Sequence, residues 1–211
     1  MIAAVEGLCA AIVLMLAVVL LVARTPEASA AIYAWAAVPQ AAIAVALAGW
    51  AGMPELYLDA AAILFVKGIW APRLLRGALP HRGEVYGLQA RRSAATLLAG
   101  AAAVTLLCLR LSQAVLPARG VALGLGLAAM FVAFGAAAVR SELWSQAAGM
   151  LMGEAGLLTA VLVLAAGLPP VGEALALAEL VLLAGVLAML TRLVRRTHGA
   201  ADARVLRGLR G

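Results

Sequence analysis

Charge is what this chain has least of. Asp, Glu, Lys and Arg make up 12% of its 211 residues, and Lys67 is its single lysine. A soluble domain carries about 25%. The chain is 66% hydrophobic, with a mean hydropathy of +1.07. No soluble domain of this length buries that much apolar surface, so the chain uses lipid as solvent. Aromatics are scarce at 5%, while alanine is abundant, and small side chains let helices approach closely in lipid. The two cysteines, Cys9 and Cys108, both lie in apolar runs and read as inert buried thiols, not as a disulfide or metal site. The two histidines, His81 and His198, lie in polar segments, so no apolar run offers the pair of imidazoles a membrane haem needs. There is no CxxC pair, phosphate loop or nucleophile elbow. No catalytic residue, cofactor or metal is therefore expected on this chain, and it carries no redox centre of its own. The net charge of +6 is not read as nucleic-acid binding, because the positive charge follows one side of a membrane.

What remains is a series of long apolar runs. Crossing a bilayer takes about 20 apolar residues, and seven runs qualify: 2–22, 30–50, 56–75, 93–115, 121–139, 143–168 and 171–193. Ala28-Ser29-Ala30 has the form of a signal-peptide cleavage site. However, no Lys or Arg precedes the first run, Glu6 lies within it, and it is longer than a usual signal core, so it is read as a retained spanning helix. Pro169-Pro170 makes the sharpest turn. With seven spans, one side of the membrane receives Arg24, Arg73, Arg76, Arg82, Arg91, Arg92, Arg140 and six arginines from Arg192 to Arg210, which is 13 of the 16 basic residues. The other side receives Arg110 and Arg119. Cytoplasmic loops carry the excess of basic residues, so the expected fold is an all-α integral membrane protein with the N-terminus outside and the C-terminus cytoplasmic. The tail around Arg204, Arg207 and Arg210 is weakly amphipathic and suits a headgroup surface or a cytoplasmic partner.

Three charges sit deep inside the apolar runs, away from their ends: Lys67 in the third, Glu154 in the sixth and Glu179 in the seventh. A charge at the bilayer centre costs about 2.5–3.5 kcal/mol on insertion scales, so such residues face a bundle interior and mark functional positions. Glu154 lies about 16 Å from the start of its run and Glu179 about 12 Å from the other end of the seventh, at 1.5 Å per residue. Both are thus near mid-depth on helices that the double proline makes adjacent. Two acids so placed, each with its charged form penalised by desolvation, are suited to passing a proton. The competing reading for each is a structural hydrogen bond. For Lys67 it is a static ion pair with a glutamate, since about ten residues separate it from either helix end and rule out snorkelling. Gly149, Gly153 and Gly156 form a smooth stripe about 100–140° away from Glu154 on the same helix, leaving one face to pack and another to present the carboxylate. Glu6, Glu55, Asp59, Glu173, Arg110 and Arg119 are read as solvated ends or rim pairs.

From helix six onward the residues resemble a known family. Arg140, the run Gly149-Met150-Leu151-Met152-Gly153-Glu154-Ala155-Gly156, then Glu173 and Glu179, and Arg195-Arg196-Thr197-His198-Gly199 look like hydrogenase-4 component E, a membrane subunit of formate hydrogenlyase-type complexes. Lys67 followed by Pro72 adds to the likeness. The resemblance covers the whole chain and is most specific after about residue 140. Within it, helices five to seven resemble the three-helix subunit K (chain 4L) of respiratory complex I, whose two buried glutamates would correspond to Glu154 and Glu179. Two departures stand out: Ala155 replaces a usual Asn, and Glu179 replaces an acid that is often Asp in component E.

The resemblance implies three regions: an N-terminal four-helix part (1–118), a subunit-K-like part (119–197) and a basic cytoplasmic tail (198–211). It implies a bacterial inner-membrane subunit of a group 4 hydrogenase-type complex, set between the redox module and antiporter-like and quinone-module-like membrane subunits. Glu154, Glu179 and Lys67 would then serve proton translocation or coupling. Two other expectations are a non-conducting scaffold that anchors the soluble module, and a subunit of a cation/proton antiporter assembly.

Overall fold

The computed structural model describes residues 2–23, 25–73, 94–140, 143–164 and 185. The described residues are 93% helical, and no strand occurs among them. Helix α1 spans Ile2–Val22, α2 Pro26–Ala51 and α3 Glu55–Ile63, which continues as a π-helical stretch, Leu64–Trp70. Helices α4 (Ala94–Val115), α5 (Gly120–Val139) and α6 (Leu143–Leu164) follow. Five of these, all but α3, are long and apolar enough to cross a membrane. The seventh expected span, 171–193, lies outside the described residues apart from Gly185, and the polar stretch 76–92 and the C-terminal tail lie wholly outside them.

Local chemistry sets the helix ends. The Thr25 side chain accepts from the Ala28 amide at 3.2 Å, and Pro26 takes the first helical position, where its missing N–H costs nothing. This capped start extends α2 four residues before the apolar run begins. Its other end is closed by Gly52 in the left-handed region, φ 67°, with its N–H on the Ala48 carbonyl. In the π-helical stretch the hydrogen bonds run to the fifth residue back, the last from the Ala71 N–H to the Val66 carbonyl. The ladder stops at Pro72, which has no N–H to donate.

Two arginines mark the two ends of the bundle. Arg140, at the end of α5, donates to the carbonyls of Leu20 (2.6 Å), Leu21 (3.2 Å) and Ala23 (2.6 Å). A buried cation thus bonds the last carbonyls of α1, where the helix dipole favours positive charge. Arg119, just before α5, reaches Glu6 near the start of α1, Trp50 at the end of α2 and Val163 near the end of α6. It follows that α1 and α5 run one way while α2, α4 and α6 run back. Helix α3 sets out from the Trp50 end. Residues on both sides of position 118 share the largest core cluster, which includes Val13, Leu20, Tyr33, Ala71, Val132, Leu151 and Met152.

The closest seam joins α5 and α6, and the glycine stripe makes it. A Cβ on Gly149 would lie 2.8 Å from the Ala137 Cβ. One on Gly153 would strike the Phe134 ring, and one on Gly156 the Met130 backbone. Backbones this close supply the dispersion contacts that associate helices in lipid. The glycine face packs on α5 and leaves Glu154 to face elsewhere.

Candidate functional site

Helix α3 buries Leu56, Ala60 and Ile63, and Lys67 is the buried residue of its π-helical continuation. The spacing of four, three and four residues is that of one helix face. Lys67 therefore sits where the apolar stripe would place another core residue. This element packs on α2, whose facing residues Ala37, Ala41 and Ala44 are small and buried. Past that alanine surface the long lysine side chain reaches α6. Its Nζ lies 3.0 Å from Glu154 Oε1 in a hydrogen bond and 2.8 Å from Oε2. The lysine side chain is 1% exposed and that of Glu154 21%. Lys67 is twelve residues from the start of α3, about 18 Å, and Glu154 is nine residues from Val163, about 13 Å. In a hydrocarbon layer about 30 Å thick, the pair sits near the middle.

Tyr33 of α2 is fully buried, and its hydroxyl has no hydrogen-bond partner among the described residues. It lies close enough to Glu154 to feel the carboxylate charge. Further along, the amide of Gln40, also fully buried, donates to the Ala155 carbonyl at 2.5 Å and to Thr159 Oγ1 at 3.3 Å. Thr159 donates to the same carbonyl at 2.9 Å. The Gln40 side chain thus brings an amide from α2 beside position 155 of α6. Gln40 Oε1 accepts nothing among the described residues.

At the Arg119 end, Glu6 is half of an ion pair, as one of its two sequence readings has it, and is not a solvated helix end: its side chain is fully buried, facing inward on α1 with Cys9, Ala10, Val13 and Ala17. Neither of its oxygens accepts a hydrogen bond among the described residues. Its charged neighbour is Arg119 Nε at 3.7 Å. The arginine, 18% exposed, also donates to the Val163 carbonyl at 3.3 Å and stacks over the Trp50 ring at 5.2 Å.

Of the three residues picked from the sequence, the fold brings Lys67 and Glu154 together, while Glu179 lies outside the described residues. Tyr33, Gln40, Thr159 and Glu6 were passed over, although a buried amide in an apolar run is the same kind of signal as a buried charge. Among the described residues, no group of three or more His, Cys, Asp or Glu side chains is arranged to hold a metal, and both cysteines are free and buried. What this arrangement can do is hold, release and hand on a proton. Compared with family profiles, curated proteins and solved structures, the chain matches none.

Proposed function

We propose that this chain is an integral membrane subunit of a hydrogenase-4-type complex, in which Glu154, with Lys67 as its charge partner, serves proton translocation or its coupling. The observation that carries the reading is the buried Lys67–Glu154 pair, 2.8 Å across at mid-depth in an apolar bundle. An ammonium and a carboxylate so placed hold each other charged, and any proton reaching the pair must redistribute its charge. The partial exposure of Glu154 beside the closed environment of Lys67 gives the carboxylate the open side. The residues of the sequence likeness supply the choice of complex. In it Glu179 is the second relay acid, seven spans cross the bacterial inner membrane, and the basic end is cytoplasmic. The metal centres then belong to other subunits.

A scaffold is the second reading, favoured by one observation: the ion pair is short and hydrogen-bonded, as a purely structural clamp would be. Isolation in a mild detergent tests the assignment. The expected result is co-purification of antiporter-like membrane subunits with an iron–sulfur or nickel–iron protein. A stable, homogeneous monomer recovered alone contradicts it. Antiporter-like subunits without any redox protein would move the chain to a cation/proton antiporter assembly.

A further inference from the structure

Four of the polar side chains that the Lys67–Glu154 pair leaves over, Gln40, Thr159, Arg119 and Glu6, follow one another toward one end of the bundle. On α6, Ala155, Thr159 and Val163 are spaced by four residues and share a face. Gln40 meets the first two positions, and Arg119 meets the third. Glu6 joins the line from α1. The residue one turn along its face, Ala10, packs in a single cluster with Ala160 and Val163 of α6 and Ala122 and Leu123 of α5. From Glu154 the line passes the open acceptor of Gln40, then Thr159, and ends about 6 Å further on, one helical turn, at the Val163 level. Glu6 waits there with both carboxyl oxygens unpartnered by hydrogen bonds.

That carboxyl is not built as a structural anchor. A structural buried acid is hydrogen-bonded on both oxygens or held bidentate by an arginine. Glu6 has one cation, approached through Nε at 3.7 Å, beyond hydrogen-bond length. The guanidinium is committed elsewhere, to the Val163 carbonyl and the Trp50 ring. It is near enough to steady a negative charge and too loosely held to fix one.

We infer that Glu6 is the terminal proton-exchanging carboxyl of the column that begins at Glu154, with Gln40 and Thr159 lining the way and Arg119 positioning it at the bundle end. This rests on the proton-relay reading. An arriving proton converts the Glu6 carboxylate to the acid. The acid then yields that proton to water at the partly exposed Arg119 end, and the arginine offsets the charge left behind. No bond other than O–H is made or broken, and no other reactant is needed.

A hydrophobic carbodiimide tests the assignment in native membranes without any substitution. It adds to a protonated carboxyl in an apolar site, the carboxyl proton passing to a carbodiimide nitrogen, and rearranges to a stable acylurea. Peptide mass spectrometry should find the adduct on Glu6 but not on Glu154, which its lysine holds as carboxylate. In Lys67→Met the adduct should appear on Glu154 as well. An unmodified Glu6 overturns the inference. The second readout is proton flux in vesicles bearing the intact complex. Glu6→Gln should assemble and lose flux to the level of Glu154→Gln. Wild-type flux in Glu6→Gln alongside lost flux in Glu154→Gln removes Glu6 from the route and leaves the relay standing. Wild-type flux in both removes both.

Discussion

Two acid–base pairs lie inside the same bundle and are held in opposite ways. At mid-depth, Lys67 and Glu154 meet at 2.8 Å with a hydrogen bond, on elements that both press against α2. At the Arg119 end, Glu6 is fully buried yet stands 3.7 Å from its cation with no hydrogen bond. Taking a charge out of water costs several kcal/mol per ion, and only close contact offsets it. The middle pair has that contact and the end pair does not. The tight pair is therefore stable as two ions, while the loose one is poised between the ionised and the neutral acid. In a route for protons the first stores charge and the second exchanges it.

The largest expected effect separates the pairs by stability. Lys67→Met leaves the Glu154 carboxylate without its ion, and removing one member of a buried pair costs about 3–5 kcal/mol. A marked drop in detergent melting temperature and in assembled complex should follow, with Glu154→Gln added to Lys67→Met recovering most of it. A melting curve unchanged by Lys67→Met would mean that the two pairs do not differ as described.

The next effect tests what aims Glu154. Gly156→Leu forces a side chain onto the Met130 backbone, and overpacking a close seam costs about 1–3 kcal/mol. Helix α6 should shift off α5 and carry Glu154 away from Lys67. Crosslinking between cysteines introduced on α5 and α6 should slow, whereas Gly135→Leu, whose Cβ meets open space, should change neither stability nor crosslinking.

Arg119→Met sharpens the comparison from the other side. The arginine is partly exposed, so its loss should cost about 1 kcal/mol, mostly through the Trp50 contact. Melting temperature reads this directly, and a loss as large as that of Lys67→Met would show Glu6 to be a fixed anion. The smallest effect is expected from Gln40→Leu. It removes hydrogen bonds to Ala155 and Thr159 worth about 0.5–1.5 kcal/mol, partly offset because the unpartnered Gln40 oxygen goes with them. A flux deficit larger than the stability deficit would mark Gln40 as part of the route.

Particular residues show how far the sequence could be read. The apolar runs located α1, α2, α4, α5 and α6 to within a few residues, because lipid demands length and hydropathy and little else. Lys67 and Glu154 stand out because each lies deep inside such a run. Their partnership was weighed only as one alternative, since it depends on α2 offering alanines where Lys67 passes, a property of packing. The burial of Glu6 is not legible in the sequence for a related reason. Distance from a helix end gives depth but not facing, and in a helix apolar on every side periodicity does not point inward. Only the small residues at Ala10 and Ala17 hinted at it. The π-helical stretch had no composition of its own; Pro72 was visible, but its effect on the four residues before it was not. The role of Arg140 was hidden by the same logic: counted as a loop charge, it is the cap of α1.

The central proposal is that the charge of Glu154 serves proton movement and does not merely hold helices together. Glu154→Gln keeps shape and hydrogen bonding and removes titration. The direct measurement is proton flux into vesicles at matched complex abundance, with hydrogenase activity read separately by an artificial dye. The account predicts that the Glu154→Gln complex assembles, reduces dye normally and loses coupled proton movement. Flux equal to wild type in that complex contradicts it.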